Sequence, residues 1–266
     1  MKSPLEMNIE KEMASMLTGK ALDIANLIFV DEEIHSYQEL ANTVSIKRMG
    51  FNDHGPVHMR KVALNAMKMF TILIDAEIQP NLVIEEIGTV EDSRIAVLLA
   101  AFLHDIGMSV GRQNHEMSSF ILANNIVDRI LKAFFPGQLS KQIAIKSTML
   151  EGIMGHMTHH AIHSLEAGII LIADGCDMEK GRARIPMLIN QESRVGDIHK
   201  YSSSAIEKVT IEKGEEKPLK ISVEMSASVG FFQVEEILIG KIMASTVKKY
   251  IELYAFVTGR DVKRYI

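Results

Sequence analysis

Residues 89–115 read TVEDSRIAVLLAAFLHDIGMSVGRQNH, and the fold class turns on how this stretch is parsed. Thr89 and Asp92 have the spacing of a capping box, with Asp in place of the usual Glu. Ile95, Leu98, Leu99, Phe102 and Leu103 then recur at helical spacing and form a buried stripe. The helix is expected to stop at Gly107, read as a left-handed C-terminal cap. His104 and Asp105 therefore stand at the end of a core helix, where a rigid element can hold ligating groups still.

Working outward, residues 52–76 read NDHGPVHMRKVALNAMKMFTILIDA. Pro56 suits a first helical turn, which tolerates a missing N–H. Val62, Ala63, Ala66, Met67, Phe70, Leu73 and Ile74 follow the period of a buried face, so His58 lies in the first turn of a long helix. Residues 6–30 have the spacing of one or two further helices. Downstream, a helix is expected to start near Asn114 and carry His115 in its first turn. Another spans Ser140–Met154 and ends at Gly155 and His156. Ser164 caps a last one through residues 164–180, which sets Asp174 on a largely buried segment. Beyond Tyr201 the texture changes. Residues 205–226 hold two alternating stretches around a Gly/Glu/Lys/Pro turn, a β-hairpin signal; residues 231–246 are helical in pattern, and residues 249–259 alternate again. The expected fold is mainly α, with a helical domain over residues 1–200 and a small α+β (ββαβ) accessory subdomain over 201–266.

An apolar fraction of 47% supplies a sizeable core. Seventeen Met and no Trp make that core aliphatic and adaptable. The net charge of −5 gives no global attraction to nucleic acid or anionic membrane, so any anion binding is local. Cys176 is the single cysteine and can form no internal disulfide, which fits a reducing compartment. The N-terminus MKSPLEMNIEKEM lacks the order of a signal peptide, and the longest apolar runs, Ile95–Leu103 and Gly168–Ala173, are too short to span a bilayer. A cytoplasmic protein with no membrane partner is the expectation.

A His–Asp pair alone means little, because His is favoured at a helix end and Asp in a turn. Here His58 precedes the pair, and His115, His156 and Asp174 follow it, each near a helix terminus or on an apolar segment. Asp174 is flanked by Ile170, Leu171, Ile172 and Ala173, where a carboxylate is costly unless paired or bound to a cation. Four His and two Asp in the order H…HD…H…H…D form a set that chance helix ends do not readily explain.

HGPVHMRKV (54–62), AAFLHDIGMSVGRQNHEMSS (100–119), EGIMGHMTHH (151–160) and GIILIADGCDMEKGRARI (168–185) resemble the successive motifs of the HD superfamily of metal-dependent phosphohydrolases. The resemblance covers residues 52–184, and the six-ligand order is similar to the dinuclear branch that includes bacterial di-iron diadenosine tetraphosphate hydrolases. The C-terminal hairpin with VGFFQVEE resembles a tail of uncharacterised archaeal hydrolases of this superfamily. The resemblance implies that His58, His104, Asp105 and Asp174 hold one metal, and that Asp105 bridges to a second held by His115 and His156. His159, His160 and His163 crowd the last of these positions, and Asp177 could stand in for Asp174. Mixed imidazole and carboxylate ligation suits one or two divalent transition ions, Fe, Mn, Co, Ni or Zn. The implied reaction is hydrolysis of a phosphate ester of a nucleotide or other small phosphorylated metabolite by metal-activated water. Asp105 and Arg112 are the catalytic candidates. Arg112, Arg182 and Arg184 are the expected phosphate contacts, with Arg60 and Lys61 as weaker ones that equally suit a solvated helix face.

Met108 stands where HD-GYP cyclic-di-GMP phosphodiesterases have lysine, and no GYP follows, which speaks against that activity. No P-loop and no GxSxG elbow occurs. Two other readings share the motif order: an HD-type di-iron oxygenase such as inositol oxygenase, although about ten residues separate His104 from His115 here, a shorter interval than in that enzyme; and a metal-containing regulatory or assembly module. Edge strands of the C-terminal subdomain could pair between subunits, and a homodimer is expected.

Overall fold

A computed structural model of the chain describes residues 2–180 and 197–266. Its helical part comprises α1 (Pro4–Met16), α2 (Gly19–Val30), α3 (Glu32–Thr43), α4 (Pro56–Asp75), α5 (Asn81–Ile84), α6 (Val90–Leu103), α7 (His115–Phe134), α8 (Leu139–Gly155) and α9 (Leu165–Cys176). Helix α6 opens on the Thr89–Asp92 capping box, with both reciprocal hydrogen bonds formed. Every residue from Ile95 to Leu103 is buried rather than one stripe, because α2, α4, α8 and α9 all pack against this helix. A helix apolar on all sides is the centre of a fold. Each large aliphatic side chain it buries stabilises the fold by about 2 kcal/mol, so its C-terminal end is a rigid platform.

The turn after α6 differs from the expected cap. Gly107 is not left-handed; it sits in a 3-10 turn, Ile106–Ser109. Glycine is needed for close approach: a Cβ there would lie 2.1 Å from the His115 carbonyl oxygen and 2.4 Å from the Ser119 nitrogen. The Gly107 N–H donates to Ser119 Oγ at 2.8 Å, and the turn is thereby pressed onto the start of α7. Helix α9, capped by Ser164 through the Ala167 N–H, stops at Cys176 rather than continuing to residue 180. Asp177 leaves the helix at ψ 68° while its N–H bonds back to the Asp174 carbonyl, which frees its carboxylate to turn toward α4.

After a helix at Asp197–Ser204 come β1 (Ile206–Lys213), β2 (Leu219–Met225), a C-terminal helix over residues 231–244, β3 (Ile251–Val257) and β4 (Lys263–Arg264). The sheet order is β1-β2-β3-β4. β1 and β2 form an antiparallel hairpin. β2 and β3 run parallel, with the C-terminal helix as crossover, and β3 and β4 are antiparallel. Leu219, Ile221, Val223 and Met225 alternate onto the buried face of β2. The sheet packs on α4 and the C-terminal helix on α9, and their apolar residues join the same core cluster as the helices. The sheet is an outer wall of one core. No helix among the described residues is long and apolar enough to cross a membrane.

Candidate metal centre

Five elements deliver the six expected ligands to one place. His58 sits in the first turn of α4, where Pro56 starts the helix. His104 is the C-cap of α6 and Asp105 the residue after it. His115 is the first residue of α7, entered through left-handed Asn114 at φ 53°. His156 caps the C-terminus of α8, and Asp174 lies in the last turn of α9. All six are buried.

Asp105 is the centre of the arrangement. Its Oδ2 lies 3.2 Å from His58 Nε2 and 3.6 Å from His104 Nε2. Its Oδ1 lies 3.1 Å from His115 Nε2 and 3.4 Å from His156 Nε2. One carboxylate thus addresses two imidazole pairs with different oxygens. Asp174 joins the first pair, its Oδ1 lying 3.3 Å from His58 Nε2 and 3.7 Å from His104 Nε2. Among the described residues, the groups that could hold a metal are His58, His104 and Asp105, and Asp105, His115 and His156.

The donor chemistry fits a cation. The Nδ1 atoms of His104, His115 and His156 meet the backbone carbonyls of Ala101 at 2.9 Å, Arg112 at 3.0 Å and Ile153 at 2.6 Å. A carbonyl only accepts, so those Nδ1 atoms carry the hydrogens and the neutral rings hold their lone pairs at Nε2. His58 Nδ1 lies 2.6 Å from the Asp177 carboxylate, which selects the same tautomer. The Nε2 atoms then converge pairwise, at 3.2 Å for His58 and His104 and 3.0 Å for His115 and His156. Two lone pairs facing at that distance repel, and a shared proton or a metal ion between them removes the repulsion. Outer carbonyls and carboxylates that fix the ring tautomer are the usual support of a metal-ligating histidine.

Electrostatics follow the same geometry. Burial pushes the Asp105 carboxyl up, but the imidazoles of His104, His115, His156 and His58 more than offset this and hold it well below the carboxylate range. Asp174 behaves alike: burial is outweighed by the Lys241 ammonium and by His104 and His58. Burial lowers His156 to about 4. His115 is raised, because Asp105 outweighs its desolvation.

The expected cations fare unequally. Arg112 is exposed and places Nη1 3.2 Å from His54 Nε2, with its guanidinium 5.4 Å from the Phe51 ring centroid. The His54 ring centroid is in turn 5.7 Å from that of His58, so Arg112 stands at the edge of the site. Arg60 is buried and bonds Glu10, Gln38 and the Pro56 carbonyl, so it ties α1, α3 and α4 together and is no phosphate contact. Lys61 pairs with Glu179 at 2.6 Å. Arg182 and Arg184 lie outside the described residues. His159, His160 and His163 are exposed; His159 Nδ1 lies 3.4 Å from Glu116 Oε1, and Glu116 Oε2 lies 3.4 Å from His115 Nδ1.

Two charged groups escaped the sequence reading as parts of this site. Asp177, considered only as a substitute for Asp174, stands behind His58. Lys241, from the C-terminal helix, contacts Asp174 Oδ2 and donates to the His156 carbonyl at 2.8 Å. His54, buried beside His58, was a third omission; its place in a DHG tripeptide before a helical Pro was the available signal.

This constellation on a helical core is a buried histidine–aspartate set that could hold a metal, and residues 57–179 match the HD domain family. The chain belongs to that family, a superfamily of metal-dependent hydrolases. Over 248 residues it is 38% identical to the uncharacterized protein MJ1020 of Methanocaldococcus jannaschii, covering 93% of each chain. No solved structure matches the chain significantly.

Proposed function

We propose that the protein is a dinuclear metal-dependent phosphohydrolase acting on a nucleotide or another small phosphorylated metabolite. The observation that carries the reading is the division of labour at Asp105, one oxygen toward His58 and His104 and the other toward His115 and His156. In this reading His58, His104, Asp105 and Asp174 hold the first ion, and Asp105, His115 and His156 the second. A bound divalent pair supplies a water ionised near neutral pH and a Lewis acid toward a phosphoryl oxygen. The chain's own residues do the rest. Asp105, anchored after a rigid helix, sets the spacing of the two centres. Asp177 orients His58 and keeps the hydrogen on Nδ1. Arg112 is the phosphate contact: a guanidinium beside the cluster can take two oxygens of an anionic ester at once. Residues 201–266 act as the accessory subdomain, through which the chain forms a homodimer, and the unpaired, buried Cys176 suits a reducing cytoplasm.

The test is metal content per chain on protein purified without added metal, followed by a screen of nucleotide and sugar phosphoesters. About two transition ions per chain with phosphate release supports the proposal. Turnover that needs O₂ and a one-electron reductant would transfer the site to the oxygenase reading, and bound metal without turnover on any ester would leave a regulatory module.

A further inference from the structure

A buried ammonium reaches the site from the C-terminal helix. Lys241 lies 67 residues beyond Asp174 and is itself buried. Its Nζ meets Asp174 Oδ2 and, at 2.8 Å, the His156 carbonyl. Asp174 therefore turns one oxygen to Lys241 and the other to His58 and His104. The second contact reaches the end of α8, whose last residue before the turn bears a ligand of the other centre.

Small residues on α9 make this approach possible. Gly168 and Gly175 are seven residues apart, two helical turns on one face. A Cβ at Gly175 would be 3.0 Å from Lys241 Cδ, and one at Gly168 would be 2.1 Å from Thr246 Oγ1. Ser245 Oγ donates to the Gly168 carbonyl at 2.9 Å and Thr246 Oγ1 to the Ser164 carbonyl at 2.7 Å. The helix is thus fastened beyond Lys241, and a π-type widening at Val234–Leu238 precedes it, a feature that rotates the residues after it and recurs at functional sites.

Resting on the metal reading above, we propose that Lys241 is a positioning residue of the metal centre. It occupies one oxygen of Asp174 so that the carboxylate offers a single oxygen to the first ion, and it couples that ligand to the His156 end of α8. The C-terminal segment is therefore part of the machinery as well as a surface for assembly. With Lys241 removed, Asp174 has both oxygens to give, and a bound ion becomes its main compensating charge in a buried place.

Full-length Lys241→Met, Lys241→Gln and Thr246→Val are prepared metal-free and reloaded with Co(II). The visible Co(II) spectrum and the unfolding temperature with and without Co(II) are recorded. Thr246→Val removes a fastening of the same helix without touching a ligand, so it lowers stability equally in both forms and keeps the wild-type spectrum. Lys241→Met changes the Co(II) bands, because a two-oxygen Asp174 raises the coordination number, and the Co(II)-induced rise in unfolding temperature grows about twofold. Lys241→Gln, the milder change, moves both in the same direction and carries the test if Lys241→Met does not fold. Co(II) bound by the wild type, with spectrum and metal-induced rise unaltered in the Lys241 variants, overturns the proposal and leaves Lys241 a docking contact like Thr246. Altered bands in Thr246→Val as large as those in Lys241→Met would overturn it too. A wild type that takes up no Co(II) overturns the metal reading itself.

Discussion

The two halves of the candidate centre share Asp105 but are built from different materials. Around His58 and His104 the outer groups are charged: Asp174 beside the pair, Asp177 behind His58, and Lys241 and Lys61 behind the carboxylates. Around His115 and His156 the ring nitrogens are held by backbone carbonyls of Arg112 and Ile153, with one outer carboxylate, Glu116 Oε2, 3.4 Å from His115 Nδ1, and Asp105 Oδ1 lies between the rings. The first half offers two carboxylates to an ion and the second offers a share of one. Because anionic ligands dominate affinity for a dication in a buried site, the first half is expected to retain metal more tightly, and the second to exchange it.

The comparison breaks most completely at the residue common to both halves. Asp105→Ala is expected to reduce bound metal from about two ions to near none and phosphoester turnover on the order of a thousandfold or more. The helical circular dichroism stays close to wild type, since α6 packs without that carboxylate. Turnover retained in a metal-replete variant would refute catalysis here.

Single imidazole deletions then test whether the halves are separable. His115→Ala is expected to keep about one ion per chain, and His58→Ala to lose the tight ion and retain a weakly held one; equilibrium dialysis of each distinguishes them. Equal losses in both variants would show that the halves assemble only together. Asp177→Asn keeps the shape beside His58 Nδ1 but removes the charge, and should weaken the first half by about 10–100-fold while sparing the second.

The smallest effect is in pH. His115, raised by Asp105 despite its burial, contributes stability to the metal-free fold that is fully present below about pH 6.5, the unfolded-state value, and is lost as pH rises through its folded value. A metal must displace that proton. His156, lowered to about 4, stays neutral through the same window, and Asp105 and Asp174 stay ionised. Zn(II) or Mn(II) affinity in His58→Ala, which keeps the second half, is expected to fall about tenfold from pH 8 to 6, and in His115→Ala by less. A steeper fall in the first half would overturn the placing of the displaced proton on His115.

Much of this centre was legible along the chain because its signals are local. A capping box, a buried apolar run and a His–Asp pair follow one another within residues 89–105, and each depends only on neighbours a turn or two away. Asp174 stood out because a carboxylate among Ile170, Leu171, Ile172 and Ala173 needs a partner. Gly107 was assigned the wrong reason: a chain-ending glycine and a close-approach glycine look alike until the His115 carbonyl is seen against it. Arg60 beside a ligand motif resembled a phosphate contact, yet Glu10 and Gln38 on two distant helices, with the Pro56 carbonyl, take its donors.

The amino-acid sequence by itself determined the helical class, the β-hairpin after residue 201 and the order of imidazole and carboxylate groups, since periodicity and residue type are properties of short stretches. Only the tertiary structure decided which oxygen of Asp105 faces which pair, that Asp177 stands behind His58, and that Lys241 reaches Asp174 from a helix 67 residues further along the chain. A lysine on an amphipathic helix reads as solvated surface, and it becomes part of a buried site only when glycines on another helix let the two backbones close. Packing between remote segments carries no period, so that contact had no signature to read.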